Sequence, residues 1–314
     1  MYETKLGRAY VGDAHHLLSQ LNDETVDLVL TSPAFAPARE KARGNEDQTT
    51  YVDWLLGFCQ GVQRVLRSTG SLVLDLGGSY SKSRPVRLLM NYRVLSRLCH
   101  ELDFRLAKEF FWDNRARLPL PIEWVNNRQV RSKDSLNTVT FWANVIIFLA
   151  SFSTKRFPSI WWLSKHDCPK ADAQPVLKRP SDHDISGCFA DTKSGAIPTY
   201  PLEIPNTGSS LLYRHFCKLA QIEGHPARFP EELPAFFIAF LTDPGDLVLD
   251  FFAGSNTTGA AAEAAGRQWI AFESDSDYLA ASVFRFAAGM PEVEVLAMYE
   301  RLRNNPEAAV RVPT

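Results

Sequence analysis

The feature that most limits the fold of this chain is a strand, tight turn, helix and second strand near its C-terminal end. Asp246 to Phe251 is an apolar run that stops at Phe252-Ala253-Gly254. Ser255 to Ala265 then reads as a helix closed by Gly266, and Gln268 to Glu273 is another apolar strand. This is a βαβ unit, and such units build parallel sheets whose two faces are both covered by helices.

The N-terminal part of the chain repeats the alternation. Ala9 to Val11, a short helix through His16 to Leu21, and the strand Val26 to Leu30 come first. A helix over 51–66 and a strand from Ser71 to Leu76 ending at Gly77-Gly78 follow. Residues 88–106 read as helix before the run Phe110-Phe111-Trp112. Pro230-Glu231-Glu232 opens a further helix, with Pro and acids in its first turn as the helix dipole favours. At 314 residues, 45% of them hydrophobic and 22% charged, this is one large α/β domain or one with a substantial insert.

Charge and cysteine usage exclude several classes. The net charge of −2 rules out a uniformly basic nucleic-acid coat. Five cysteines, none at C-x-x-C spacing, argue against a disulfide framework or zinc ribbon and for a reducing compartment; no metal is expected. The N-terminus has no apolar signal region, and the longest greasy stretch, Phe141 to Phe152, is too short to span a bilayer. No membrane association is expected. The charge is unevenly spread, however: residues 114–180 carry +7 and the remainder −9. This segment mixes Lys and Arg with prolines and aromatics and has little periodicity. A solvated loop region and a nucleic-acid-facing insert both fit it; in the latter, cations neutralise phosphates and irregular loops reach base edges.

Two loops carry the chemistry. At residues 247–259, Gly254 lets the backbone pass close to a ligand at a helix start. The spacing is neither G-x-G-x-x-G nor a P-loop, so dinucleotides and nucleoside triphosphates are poorly supported. Glu273 ends the next strand, 23 residues after Asp250, where a carboxylate is able to bind both hydroxyls of a ribose. At the other end of the chain, Thr31-Ser32-Pro33-Ala34-Phe35 directly follows a strand.

Together these loops resemble those of the DNA amino-methyltransferases that use S-adenosylmethionine. Residues 250–258 match the D-x-F-x-G-S-x-T-T cofactor loop, and residues 32–35 resemble the [DNS]-P-P-[YFW] catalytic loop. With the catalytic loop early and the cofactor loop late, the order is that of the permuted β group. Gly195 to Pro198, His225 to Pro230, Pro121 to Asn126 and Arg131 to Val139 narrow the resemblance to PvuII-type cytosine-N4 methyltransferases over nearly the whole chain.

The resemblance implies a Rossmann-like methyltransferase sheet of seven strands in permuted order. Residues 1–114 would be the catalytic half, 115–210 a target-recognition region and 211–314 the cofactor half. The expected activity is methylation of cytosine N4 in a specific duplex DNA sequence. The alternatives are adenine N6, which Ser32 disfavours because most adenine enzymes carry Asp or Asn there, and a DNA-binding homologue with impaired catalysis. Ring-carbon methylation is excluded because that family needs a Pro-Cys pair, absent here.

The same resemblance assigns site residues. Ser32 and the Pro33 carbonyl would accept the amino hydrogens, Phe35 would stack on a flipped base, and Asp75 would relay the proton from Ser32. Asp75 also reads as a strand-end residue satisfied locally. The cofactor would be held by Asp250, Phe252, Gly254, Ser255, Asn256, Thr257 and Glu273, with His225, Pro226 and Arg228 beside its methionine end. Asp13 reads equally as an adenine partner and as a helix N-cap. Arg128, Arg131 and Lys133 would contact DNA. A cytoplasmic, nucleoid-associated monomer acting on hemimethylated or unmethylated sites is expected, with a restriction endonuclease of the same site as companion.

Two departures from the family pattern stand out. Ala34 replaces a proline, which relaxes the catalytic loop. Residues 140–160 separate Asn137-Thr138-Val139 from Trp161-Trp162-Leu163-Ser164-Lys165, two stretches that resemble one continuous family run.

Overall fold

Continuous apolar runs place the central strands between two layers of helices. In the computed structural model the described residues are 1–33, 48–76, 79–80, 87–113, 159–176, 202–204, 210–305 and 309–313. In chain order the elements are β1 (Tyr2–Glu3), β2 (Gly7–Val11), α1 (Ala14–Ser19), β3 (Val26–Thr31), α2 (Gln48–Val65) and β4 (Leu66–Leu76). The small pair β5 (Ser79–Tyr80) and β6 (Arg87–Leu88) precedes α3 (Met90–Glu101), β7 (Arg105–Asp113), β8 (Ser159–Ser164) and β9 (Leu202–Glu203). Then come α4 (Leu211–Leu219), α5 (Glu232–Leu241), β10 (Leu247–Asp250), α6 (Thr257–Ala264), β11 (Gln268–Glu273), α7 (Ser276–Ser282), α8 (Glu292–Asn304) and β12 (Val310–Arg311).

The main sheet has ten strands in the order β12-β1-β2-β11-β10-β3-β4-β8-β7-β9. The seven from β2 to β7 are the expected methyltransferase layer, and three two-residue strands extend its edges beyond the seven expected. The run β2-β11-β10-β3-β4 is parallel throughout, whereas β8 is antiparallel to both of its neighbours.

Strand periodicity explains the two cores. Leu28 and Leu30, Val73, Val248, Ile160 and Trp162 face one way, against α5, α6 and the C-terminal helices. Val29, Leu72, Leu74, Leu76, Leu249, Trp161 and Leu163 face the other, against α1, α2 and α3. Because both faces are covered, the strands read as continuous apolar runs rather than as alternating ones.

Some boundaries differ from the sequence reading. The helix expected over 88–106 ends at Glu101; Asp103 takes a left-handed φ of 54°, and β7 begins at Arg105. The helix α4 was not expected, although its buried Tyr213, Phe216 and Cys217 stand at helical spacing. Ser159 and Ile160, read as the end of the foreign segment 140–160, belong to β8 and pair with Leu76 and Asp75 of β4. Burial of Ile160 in a two-faced sheet accounts for the apolar character that made it look like insert. The remainder of that segment, and most of the region 115–210 with Arg128, Arg131 and Lys133, lies outside the described residues.

This topology fixes where a ligand can sit. From β10 the chain crosses through α6 to β11 on one side, and from β3 it crosses through α2 to β4 on the other. The carboxyl ends of β10 and β3 therefore flank a topological switch point, the crevice used for ligands in open α/β sheets.

Candidate active site

Ser32 is the first residue after β3, whose last residue, Thr31, lies opposite Leu74 of β4. Asp75 follows Leu74, so the two side chains share one end of the sheet. Ser32 Oγ donates to Asp75 Oδ2 at 3.2 Å and lies 3.4 Å from the Asp75 carbonyl oxygen. Asp75 Oδ1 is buried and has no hydrogen-bond partner among the described residues. Burial pushes the Asp75 carboxyl up to about 6, and the Ser32 hydrogen bond opposes that rise. At neutral pH this is an ionised carboxylate on a half-buried residue, with its buried oxygen unpaired among the described residues, an arrangement suited to accept a proton. Among the described residues the one side-chain partner of the Asp75 carboxylate is Ser32. Pro33 is buried at the described end of this loop; Ala34 and Phe35 lie outside the described residues.

The neighbouring strands supply a second set of groups. Gly254 has a φ of 52°, and a Cβ there would stand 2.9 Å from the ring of His225. Only glycine meets both conditions without strain. Its N–H donates to Glu273 Oε2 at 2.7 Å, while the Asp275 N–H donates to Oε1 at 2.9 Å. Oε1 also takes a long bond of 3.4 Å from Ser274 Oγ. Oε2 keeps a second lone pair for a hydroxyl, and turning the Ser274 hydroxyl away opens one on Oε1.

His225 closes the crevice on its far side. Its Nδ1 lies 2.7 Å from the Ala227 carbonyl oxygen, so Nδ1 carries the hydrogen and Nε2 is an acceptor. Burial holds its pKa below the ordinary value, and the ring is neutral at pH 7. Pro226 follows in the same turn, and Arg228 bonds back to the His225 carbonyl.

Asp13 caps α1, its Oδ1 accepting from the His15 and His16 N–H groups at 2.9 and 3.2 Å. The neighbouring Gly12 N–H donates to the Glu273 carbonyl at 2.9 Å, which sets Asp13 beside the end of β11. The N-cap role is thus filled by one oxygen, and no bond to Oδ2 is formed among the described residues. Phe252 stacks on Trp54 of α2 with centroids 5.2 Å apart.

Four side chains expected to face a cofactor are spent inside the protein. Asp250, Ser255, Asn256 and Thr257 are each at most 3% exposed. Asp250 accepts from Thr31, Thr258 and the Phe252 N–H. Ser255 is gripped by Arg285, whose Nε donates to its carbonyl at 2.6 Å and whose Nη2 donates to its hydroxyl at 2.9 Å. Asn256 takes a left-handed φ of 54°; its Oδ1 caps α6 through the Gly259 N–H, and its Nδ2 donates to the Tyr2 hydroxyl at 2.9 Å. A Cβ on Gly259 would overlap Asn256 Oδ1 at 2.3 Å. These residues shape the turn from inside.

With this geometry in view, comparison with known proteins is decisive. The DNA methylase family profile matches residues 26–284. The chain belongs to the DNA methylase family. It is 42% identical to the type II methyltransferase M.PvuII of Proteus hauseri, over 96% of this chain and 90% of that one. It is 24% identical to M.ScaI of Streptomyces caespitosus, over 91% and 83%. The solved PvuII DNA methyltransferase (cytosine-N4-specific) superimposes with a TM-score of 0.81 at 39% identity, covering all of this chain and 97% of that one. A putative DNA modification methylase of Thermus thermophilus, solved with S-adenosyl-L-methionine, shares the fold at a TM-score of 0.55 and 21% identity, over 98% and 100%.

Several residues around the site were given no role in the sequence reading: Thr31 and Thr258 inside the two loops, and Arg285, Tyr213, Trp54 and Tyr2 outside them. Arg285 stands on a 3₁₀ turn outside any motif, and its guanidinium lies 5.1 Å over the Tyr213 ring. Burial lowers its pKa to about 10, so it stays charged behind the Gly254 turn. A cavity of about 550 Å³ lined by Cys99, Arg105 and Ser164 is not this site. Ser164 pairs with Ser71 in the middle of β4, whereas Asp75 pairs with Ile160. Among the described residues no helix is long and apolar enough to cross a membrane.

Proposed function

We propose that this methylase transfers a methyl group from S-adenosylmethionine to the exocyclic N4 of cytosine in a specific sequence of duplex DNA. The observation that carries the reading is the Ser32–Asp75 hydrogen bond at the switch point, beside the Gly254 turn and Glu273. A cytosine amino nitrogen is conjugated with its ring and is a poor nucleophile. Holding its hydrogens with acceptors favours the pyramidal form that attacks.

Ser32 is suited to this because its own hydrogen points to Asp75, which leaves its lone pairs to accept from the amine. The Pro33 carbonyl is the second acceptor, and Phe35 stacks on the flipped base. As the N–C bond forms, the amino proton passes to Ser32 Oγ and the Ser32 proton passes to Asp75 Oδ2. S-adenosylmethionine, when bound, supplies an electrophilic methyl group whose bonding pair stays with sulfur. The chain fits this cofactor: Glu273 offers two oxygens to ribose hydroxyls, Asp13 Oδ2 an acceptor to the adenine amine, and His225 with Arg228 a polar edge for the methionine end. Arg128, Arg131 and Lys133 hold DNA phosphates, and residues 115–210 read the sequence. The companion reading is a monomer in the cytoplasm, associated with the nucleoid. It modifies hemimethylated or unmethylated sites, paired with a restriction endonuclease of the same specificity.

The test is to incubate the protein with S-adenosylmethionine and mixed-sequence duplex DNA, digest to nucleosides and identify the product by mass spectrometry. N4-methylcytosine is expected. N6-methyladenine would overturn the base assignment, and absence of any methylated base would overturn the activity.

A further inference from the structure

The backbone ladder between β10 and β3 ends at Leu249 opposite Val29, so at the site end these strands are joined by side chains. Thr31 Oγ1 donates to Asp250 Oδ1 at 2.8 Å, and Thr258 Oγ1 donates to Oδ2 at 2.7 Å. The Phe252 N–H adds a third bond to Oδ1 at 3.1 Å. Thr31, Asp250 and Thr258 are 0%, 2% and 1% exposed. Thr31 precedes Ser32 in the catalytic loop, and Thr258 lies in the first turn of the helix that follows the Gly254 turn. One carboxylate thus ties the two loops together across the switch point.

Nothing about packing alone calls for a carboxylate here. Burying an ionised group costs free energy even when it is bonded, and an apolar trio of similar volume fills such a space at less cost. The trio gives a fixed distance between the two loops, set by hydrogen-bond lengths. Methyl transfer depends on that distance, because the nitrogen and the methyl carbon must be in line and close.

We propose that Asp250, through Thr31, is a positioning residue that couples the cofactor-side turn to the catalytic loop, so that ligand binding at the turn orders Ser32 and Pro33. This rests on Ser32 being the acceptor of the target amine. Thr31 and Thr258 then have separable roles, although both bond the same buried carboxylate. Loss of the Thr31 bond frees the catalytic loop, and loss of the Thr258 bond loosens the cofactor side.

The test compares Thr31→Val, Thr31→Ser and Thr258→Val with the wild type. Binding of S-adenosylhomocysteine is measured by calorimetry, methyl transfer by initial rates, and amide hydrogen exchange over residues 26–33 with and without that ligand. In Thr31→Val the Kd should stay within about twofold while kcat falls about 10- to 100-fold. The ligand-induced slowing of exchange seen in the wild type should be lost. Thr31→Ser, which keeps the hydroxyl, should restore both, and Thr258→Val should raise the Kd. The proposal is overturned if Thr31→Val keeps its kcat or its ligand-induced protection, or if both valine variants merely lower melting temperature and every other quantity in step. Should the wild type methylate no DNA, the activity reading falls, yet exchange still decides the coupling. Protection present in the wild type and absent in Thr31→Val supports it, and equal exchange in the two removes it.

Discussion

Replacing Asp75 by Asn gives a prediction in which stability and activity move in opposite directions. The Asp75 carboxyl stands at about 6 in the fold, against 3.8 for an ordinary aspartate. A folded-state value above the unfolded one means that the folded protein holds the proton more tightly. The stabilising contribution is therefore fully present below about pH 4 and is lost as pH rises through about 6. Across that window the wild type loses about 3 kcal/mol from this group. Asn has nearly the same shape and does not ionise, so the variant escapes the loss. The stability of the variant minus that of the wild type should climb by about 3 kcal/mol between about pH 4 and pH 7.5 and stay level above.

Two confounding contributions drop out of that difference. Asp250, also at about 6 through burial, gives both proteins the same pH dependence. An amide hydrogen set unsatisfied in place of Oδ1 costs about 1–3 kcal/mol, but that shifts the curve without changing its slope. Urea unfolding at a series of pH values measures the difference directly. A flat difference, or one that falls with pH, would refute the account of Asp75 as a desolvated, ionised group. In the same variant kcat should drop about 10²- to 10⁴-fold, because the proton from Ser32 has lost its acceptor. The wild-type rate should rise with pH through about 6, and the residual rate of the variant should not.

Ser32→Ala should bind S-adenosylhomocysteine normally and lose most methyl transfer, since it removes an acceptor needed chiefly in the transition state; normal turnover would remove Ser32 from the chemistry. Glu273→Ala should weaken cofactor binding by about 10- to 100-fold, the value of a charge-assisted acceptor, and an unchanged Kd by calorimetry would leave Glu273 only as the anchor of the Gly254 N–H. Neutralising Arg128, Arg131 and Lys133 together should flatten the dependence of DNA affinity on salt by about 0.9 in log–log slope for each lost phosphate contact; an unchanged slope would put the DNA surface elsewhere. Deleting residues 140–158 should leave a soluble, active protein, whereas extending the deletion to Ile160 removes the β8 partners of Leu76 and Asp75 and should lower both melting temperature and methyl transfer. Equal behaviour of the two deletions would show that this end of β8 does not support Asp75.

What could be read from the sequence, and what could not, divides by range. The βαβ unit at 247–273, Gly254 and Glu273 are local patterns, and Ser32 and Asp75 each end an apolar strand, so their placement followed from strand ends. The Thr31–Asp250 bond spans 219 positions, and no local pattern says that β3 and β10 are neighbours. Asp13 shows the other limit: an acid between a strand and a helix fits a cap and a ligand partner equally, and the structure shows the cap, made by Oδ1. The helix at Leu211–Leu219 was missed although Tyr213, Phe216 and Cys217 carried its signal, because the charge and proline bias of the region before it drew the boundary.

Asp75 and Asp250 show why residue type and burial together do not assign a role. Both are aspartates at the carboxyl end of a central strand, and burial pushes both up to about 6. They differ in what surrounds the oxygens. Asp250 receives three hydrogen bonds, shared between both oxygens, from groups that have no other task in the site. These donors fix both oxygens in place and, among the described residues, leave one lone pair on Oδ2, so Asp250 is suited to serve geometry. Asp75 receives one side-chain bond, from the hydroxyl that faces the substrate position, and keeps Oδ1 without a partner among the described residues. A proton arriving from Ser32 displaces no other donor and removes an ill-solvated charge. On the proposed mechanism, the count of satisfied acceptors distinguishes the carboxylate suited to take a proton from the one suited to fix a distance.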